Sequence, residues 1–233
     1  MDNQLKLKIL FGNCRGIIFD FDGILVDSEP FHYQAYNTVF QEHGHTINPE
    51  EYWIEFTSKG KGAQGEIDRY NLAGLDSLEI RKKKFIFYSQ FCKAGEIRFF
   101  PSAKRLILSA ESAGWKLAIA SGSRMEDILT ILDSNSLRNN FKIIMGKESA
   151  QREKPSPDIF LKTAEKLGIE PSKLLVIEDA EKGLKASKDA GIPCIIVRNR
   201  LNQNIEFPEA DLICENLEEL IRAIEKSPAS KRK

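Results

Sequence analysis

The sequence predicts an α/β protein: a doubly wound, Rossmann-like parallel sheet with an α-helical domain inserted after its first strand. Three observations carry this prediction. Short apolar runs of strand length recur along the chain, at Gly16–Phe19, Leu117–Ala120, Ile143–Met145, Leu174–Ile177 and Cys194–Val197, and such unalternating runs fit strands covered on both faces. Between the later runs lie segments with apolar residues at i, i+3, i+4 and i+7, several of them closed by glycine. From about residue 29 to 98 the alternation stops and the texture is helical, charged and aromatic. Strands alternating with helices give a parallel sheet with right-handed crossovers.

The first run ends on Asp20, Asp22 and Gly23, two carboxylates and a turn residue where a buried strand should stop. Ionised groups are costly to desolvate, so these acids mark either a solvated strand end or a site. Glu29 to Glu42 reads as a helix with Phe31, Ala35 and Val39 on one face. Pro49 begins a second helix, Glu50 to Phe56, and Asp76-Ser77 caps a third running towards Cys92. Phe85-Ile86-Phe87-Tyr88 has strand-like residues, but its setting between a basic run and Ser89-Gln90 favours helix. Pro101 opens the helix bearing Ala103, Leu106, Ile107 and Ala110, and Gly114 closes it. After the strand Leu117–Ala120, Ser123 and Glu126 form a capping box for a helix bearing Met125, Ile128, Leu129 and Leu132. Ser156-Pro157-Asp158 starts a helix with Phe160, Ala164 and Leu167 on one face, ended by Gly168. Leu174–Ile177 leads into a helix ending at Gly191, Asp211–Ile213 is an edge strand, and Leu217 to Lys226 is the last helix. Ser227 to Lys233 is a polar, basic tail expected to fray. The expected division is a core of residues 1–28 and 99–233, with 29–98 as the helical insertion.

Composition narrows the function. The 233 residues suffice for a core plus an insertion, and 42% hydrophobic with 29% charged residues is ordinary for a globular protein. Basic and acidic residues both number 34, so no nucleic-acid or membrane partner held by bulk electrostatics is expected. Cys14, Cys92, Cys194 and Cys214 form no C-x-x-C pair, which argues against a zinc site and for a reducing compartment. Met1 to Asn13 is broken by Lys6 and Lys8 and lacks a signal-peptide core, and no run approaches a membrane span. A cytoplasmic protein, compatible with a monomer, is expected.

In a sheet of this type ligands bind beyond the carboxyl ends of the strands. Those ends supply Asp20, Ser121 and Glu178-Asp179, with Lys154 on a loop after another strand. Asp20 and Asp22 suit nucleophilic catalysis backed by acid–base catalysis: the first attacks an electrophile, and the second protonates a leaving oxygen and later activates water. Three or four carboxylates at one edge call for a cation, and oxygen-only ligands fit Mg²⁺. The metal in turn suits a phosphate substrate, whose remaining oxygens Lys154 and the Ser121-Gly122 hydroxyl and amides would bind.

These residues carry a resemblance. Phe19-Asp20-Phe21-Asp22-Gly23 through Glu29 resembles motif I of the haloacid dehalogenase superfamily, and Ser121-Gly122-Ser123 resembles motif II. Lys154-Pro155-Ser156-Pro157-Asp158 is similar to motif III, and Val176-Ile177-Glu178-Asp179-Ala180 with Gly183 to motif IV, in the same order and spacing. The resemblance implies an aspartyl-phosphate mechanism with Asp20 as nucleophile and Asp22 as acid/base. It implies a metal held by the Asp20 carboxylate, the Asp22 backbone carbonyl and Asp179, with Glu178 at or near its outer ligands. It also implies that Ser121 and Lys154 hold the transferring group, and that the insertion is the helical cap of subfamily I.

Within that superfamily an acid at position 22 favours phosphate-ester hydrolysis or phosphomutase chemistry over dehalogenation. Phosphoglycolate phosphatases, sugar-phosphate phosphatases and β-phosphoglucomutases form the neighbourhood the chain resembles, and His32 matches a histidine that helps position Asp22 in many of them. The mutases also hold a distal phosphate with a cap Lys and a cap Arg; this chain offers Lys59, but Ala63 where the Arg would fall. A Mg²⁺-dependent phosphatase acting on a small phosphorylated metabolite is therefore expected first, and a phosphomutase second. Gly60-Lys61-Gly62-Ala63-Gln64-Gly65 matches the dinucleotide pattern G-x-G-x-x-G, which requires a preceding strand, whereas Tyr52 to Phe56 reads as helix. The glycines are read instead as a mobile cap loop from which Lys59 reaches the substrate.

Overall fold

The structure is a computed structural model that describes residues 3–226, so the tail expected to fray from Ser227 lies outside it. The chain begins with α1 (Asn3–Asn13) and β1 (Gly16–Phe19), followed by the helices α2 (Glu29–Gln41), α3 (Pro49–Glu51), a wide π-type helix (Tyr52–Ser58), α4 (Gly62–Tyr70) and α5 (Ser77–Ala94). Alternation then sets in: α6 (Pro101–Ser112), β2 (Lys116–Ala120), α7 (Met125–Ser134), β3 (Ile143–Met145), α8 (Asp158–Leu167), β4 (Leu174–Glu178), α9 (Glu181–Asp189), β5 (Cys194–Val197), β6 (Leu212–Cys214) and α10 (Leu217–Glu225). The six strands pair in parallel in the order β3-β2-β1-β4-β5-β6, the doubly wound α/β architecture expected from the sequence.

The period of two along a strand distributes the core over both faces of this sheet. Ile17 and Phe19 of β1 pack with Leu117, Ile119 and the buried residues of α1, α6 and α10 on one face. Ile18 packs with Ala118, Val176 and the apolar stripes of α8 and α9 on the other. The helical segment after β1 has a cluster of its own, built on Tyr36, Val39, Phe40, Tyr52, Phe56 and Ile67. Asp76 caps α5 as expected, its side chain accepting from the Leu78 N–H at 2.7 Å.

Two local readings are corrected. The glycines of 60–65 do not form a mobile loop: Gly60 and Gly62 turn the chain with φ of 72° and 60°, and Gly65 lies inside α4. Ala63 and Ile67, four apart, bury against the helical cluster, and the buried Glu66 carboxylate accepts from His45 Nε2 at 2.8 Å. A helical turn, not a strand, precedes them, so the dinucleotide pattern has no structural basis. Ser123 does not cap α7; the Met125 N–H donates instead to Glu148 Oε2 at 3.0 Å, and the Ser123 hydroxyl is turned towards Asp22. The N-terminal stretch, for which the sequence suggested no element, forms α1, because Leu7 and Phe11 stack at i, i+4 and bury while Lys8 stays on the exposed face. Among the described residues no helix is long and apolar enough to cross a membrane.

Candidate active site

Strand order reverses at β1, which leaves a crevice at the carboxyl ends of β1, β2 and β4. Asp20 follows β1 directly and continues its pairing, its N–H donating to Ile177 O at 2.9 Å. The chain then folds into a tight turn closed by Gly23 N–H to Val26 O at 3.0 Å. Gly23 has φ +76°, and a Cβ there would stand 2.1 Å from Asp179 Oδ2, so only glycine lets these two segments meet.

Lys154 joins the two acid pairs. Its ammonium donates to Asp20 Oδ1 at 2.6 Å and to Glu178 Oε1 at 2.8 Å, with all three side chains buried. Burial disfavours the ammonium, yet the charges of Asp20 and Glu178 outweigh this and hold Lys154 above its ordinary range. Burial pushes Asp20 up to about 7 against the attraction of Lys154. The other Glu178 oxygen accepts from the Asp179 and Ala180 N–H groups at 2.8 and 2.9 Å, an anion at the start of α9. Gly183 makes room for this fold-back: a Cβ there would lie 1.6 Å from Glu178 Oε1.

Asp20, Glu178 and Asp179 each bring a carboxylate oxygen within 4.8 Å of the others. Burial and the neighbouring Glu178 and Asp20 charges raise Asp179 well above the carboxylate range. Its side chain accepts from Asn199 Nδ2 at 2.8 Å, and among the described residues no cationic side chain pairs with it. An oxygen-only set with one acid lacking a counter-charge is the donor chemistry of a hard divalent cation. The Asp22 side chain, by contrast, stands outside this cluster.

Asp22 is instead surrounded by donors. Oδ1 accepts from Ser28 Oγ at 2.6 Å and from His32 Nε2 at 3.1 Å; Oδ2 accepts from Ser121 Oγ at 3.0 Å and from Ser123 Oγ at 2.7 Å. Burial opposes its ionisation, but the His32 ring and the hydroxyls hold it well below the usual carboxylate range. His32 is in turn contacted at Nδ1 by Lys84 Nζ at 2.7 Å and stacks on Tyr88 at 3.8 Å between ring centroids. The ionised Asp22 carboxylate only accepts, so the ring proton sits on Nε2, facing it, and Nδ1 accepts from Lys84. Burial first and the Lys84 charge second push His32 down to about 4, leaving the ring neutral at pH 7. Lys84→Met removes the second cause and keeps the first, so His32 is expected to titrate above 4 in that variant; NMR titration of the imidazole resonances reads the shift, and an unmoved value rules out the influence of Lys84.

Sheet edge and helical segment enclose a cavity of about 160 Å³. Asp20, Asp22, Gly122, Lys154, Glu178 and Asp179 line it from the sheet, and His32, Tyr36, Arg81 and Lys84 from the helices. Arg81 bridges the two sides through an ion pair with Glu153, and Ser58 Oγ accepts from the Glu181 N–H at 3.3 Å. Lys59 is not brought in: it is 43% exposed and pairs with Glu55 at 2.8 Å, one helical turn away. The residues that sequence reasoning missed are Ser28, Ser123, Glu29, Arg81, Lys182 and above all Lys84. A signal for Lys84 existed, because within its basic run it alone falls on the apolar stripe of Ile80 and Tyr88, at i, i+4 and i+8.

Comparison with known proteins matches residues 17–197 to haloacid dehalogenase-like hydrolases. The plasmid CbbY protein of Cupriavidus necator is 30% identical over 221 residues, covering 87% of this chain and 85% of that one. The phosphorylated carbohydrates phosphatase of Thermotoga maritima is 28% identical over 205 residues, covering 84% and 91%. Among solved structures, CbbY from Rhodobacter sphaeroides in complex with phosphate superposes with a TM-score of 0.77 at 27% identity, covering 93% of this chain and 98% of that one. The same protein, as a mutant, has also been solved with xylulose-(1,5)bisphosphate, with a TM-score of 0.78.

Proposed function

Since the chain belongs to the haloacid dehalogenase-like hydrolases, we propose that it is a Mg²⁺-dependent phosphatase that cleaves a small-molecule phosphate monoester through an aspartyl-phosphate intermediate. The observation that carries this reading is the Asp20 carboxylate at the end of β1, held by Lys154 at 2.6 Å beside the Glu178-Asp179 pair. Asp20 attacks phosphorus, the bond to the leaving oxygen breaks, and Asp22 supplies the proton that oxygen needs. Water then attacks the phosphoryl group, giving its proton to Asp22 and freeing phosphate and Asp20. The donors around Asp22 favour its ionised form, which suits the second half; an incoming phosphate dianion raises its proton affinity for the first. Lys154, Ser121 and the Gly122 amide hold the phosphoryl oxygens. Bound at Asp20, Asp179 and Glu178, with the Asp22 backbone carbonyl, Mg²⁺ would supply charge neutralisation for the approach of an anionic nucleophile to an anionic ester.

Residues 29–98 act as a cap over the core of 1–28 and 99–233, and closing it keeps water from Asp20 until the leaving group has gone. Hydrolysis is favoured over mutase transfer by Ala63, which is buried in the helical cluster and offers no cation to a distal phosphate. The relatives named for phosphatase activity, and the phosphate complex of CbbY, support the same reading. With p-nitrophenyl phosphate, EDTA is expected to abolish turnover and Mg²⁺ to restore it; turnover that survives chelation would overturn the metal-dependent mechanism. β-Glucose 1-phosphate in the same assay, with phosphate release and isomerisation followed separately, distinguishes hydrolysis from transfer.

A further inference from the structure

The loop after β5 carries Asn199 and Asn202, two asparagines that take no part in the proposed steps. Each uses its side-chain oxygen to shape the loop. Asn199 Oδ1 accepts from the Leu201 and Asn202 N–H groups at 2.8 and 3.2 Å, and Asn202 Oδ1 accepts from the Asn199 N–H at 2.9 Å, local turns of the kind asparagine favours. Each uses its nitrogen to hold Asp179. Asn199 Nδ2 donates to Asp179 Oδ2 at 2.8 Å. Asn202, only 2% exposed, donates from Nδ2 to the Asp179 carbonyl and to Val197 O, both at 2.9 Å. The oxygens face N–H groups and the nitrogens face oxygens, so neither amide can be reversed. One loop thus grips both the side chain and the backbone of a single acid.

The grip is one-sided. Asp179 Oδ2 is bonded to Asn199 and packed against Gly23, where a Cβ would stand 2.1 Å from it. Asp20 likewise has its Oδ1 taken by Lys154 at 2.6 Å. An amide is neutral, so it fixes the carboxylate without cancelling the charge a cation needs; lysine or arginine in its place would cancel it. Ca²⁺ accepts both oxygens of a carboxylate in a flexible shell, whereas Mg²⁺ is smaller and demands a near-ideal octahedron.

We infer that Asn199 is a positioning residue for the metal: by tying up Asp179 Oδ2 it leaves one oxygen of that acid for the cation, and so favours Mg²⁺ over Ca²⁺. The inference rests on the metal-dependent reading of the site and adds to it a residue that acts only through Asp179. Asn202 keeps Asn199 in place and anchors the backbone of the same acid.

Calorimetric titration of the unmodified protein with Mg²⁺ and with Ca²⁺, in the absence of substrate, measures the preference. Mg²⁺ is expected to bind the more tightly. Asn199→Ala frees Oδ2, and is expected to weaken Mg²⁺ binding by about tenfold or more, the usual cost of losing a residue that orients a metal ligand, and Ca²⁺ binding by less. Asn199→Ser separates shaping the loop from holding the acid, since its hydroxyl can still accept within the turn but ends short of Asp179. The same shift of preference towards Ca²⁺ is expected in it. A Ca²⁺ preference in the unmodified protein, an unchanged ratio of dissociation constants in Asn199→Ala, or a shift that Asn199→Ser abolishes would each overturn the inference while leaving the metal-dependent reading intact. Binding of neither cation to the unmodified protein would overturn both. Should Asn199→Ala fail to fold, Asn199→Ser decides, an unchanged ratio in it overturning the inference.

Discussion

Asp20→Asn is expected to lower kcat for p-nitrophenyl phosphate by about 10⁴-fold or more, the scale seen when a nucleophile acting as part of a unit is removed. The change is isosteric, so the turn at Gly23 and the contact with Lys154 survive in shape. What disappears is the oxygen that attacks phosphorus, and an amide does not replace it. Stability should move little or upwards. Burial pushes Asp20 up to about 7, above its value in the unfolded chain, so above pH 4 the folded state carries this carboxylate at a cost that rises with pH. Asparagine removes that cost, while Lys154 keeps Glu178 as a partner at 2.8 Å. An unchanged melting temperature together with lost turnover identifies a chemical role; substantial residual turnover would sink the aspartyl-phosphate mechanism.

Lys154→Met should do the reverse damage and act on the fold as well as the chemistry. The ammonium is the counter-charge shared by Asp20 and Glu178, and removing one partner of a buried ionic group costs about 3–5 kcal/mol. The loss should be pH-dependent with a definite sign. Without Lys154 nothing opposes the effect of burial on Asp20, which then binds its proton still more tightly in the folded state than in the unfolded chain, so stability falls as pH rises above the ordinary carboxylate range. Urea unfolding at pH 5 and pH 8 measures this directly. A loss under about 1 kcal/mol, or one equal at both pH values, would mean that water rather than Lys154 balances these acids.

The strands were legible because each is a short apolar run that keeps both faces covered, and the sheet edge because acids, Ser121 and Lys154 stand where such runs end. Less was legible where local spacing competed with tertiary demand. Ser123-x-x-Glu126 spells a capping box, but the Ser123 hydroxyl has Asp22 within 2.7 Å, and a buried carboxylate outbids a helix end that Glu148 already serves. Glycine spacing at 60–65 suggested mobility, whereas Ala63 and Ile67 had a helical cluster to bury against. Lys84 differs from Lys59 in lying on the Ile80–Tyr88 stripe of α5, and the packing of that stripe against His32 of α2 buries the one cation while the other stays in solvent.

Gly183 has no functional group, yet its single hydrogen acts as a keyway. The Glu178 carboxylate occupies the space a methyl group would need, 1.6 Å from that Cβ position. It cannot swing aside freely, because one oxygen is fastened to two amides and the other to Lys154. An alanine there would unfasten Glu178, slacken the lysine it anchors, and so disturb the aim of Asp20 from a helix that contributes no reactive atom. The volume of one methyl group on α9 thus governs the alignment of a nucleophile on a neighbouring strand.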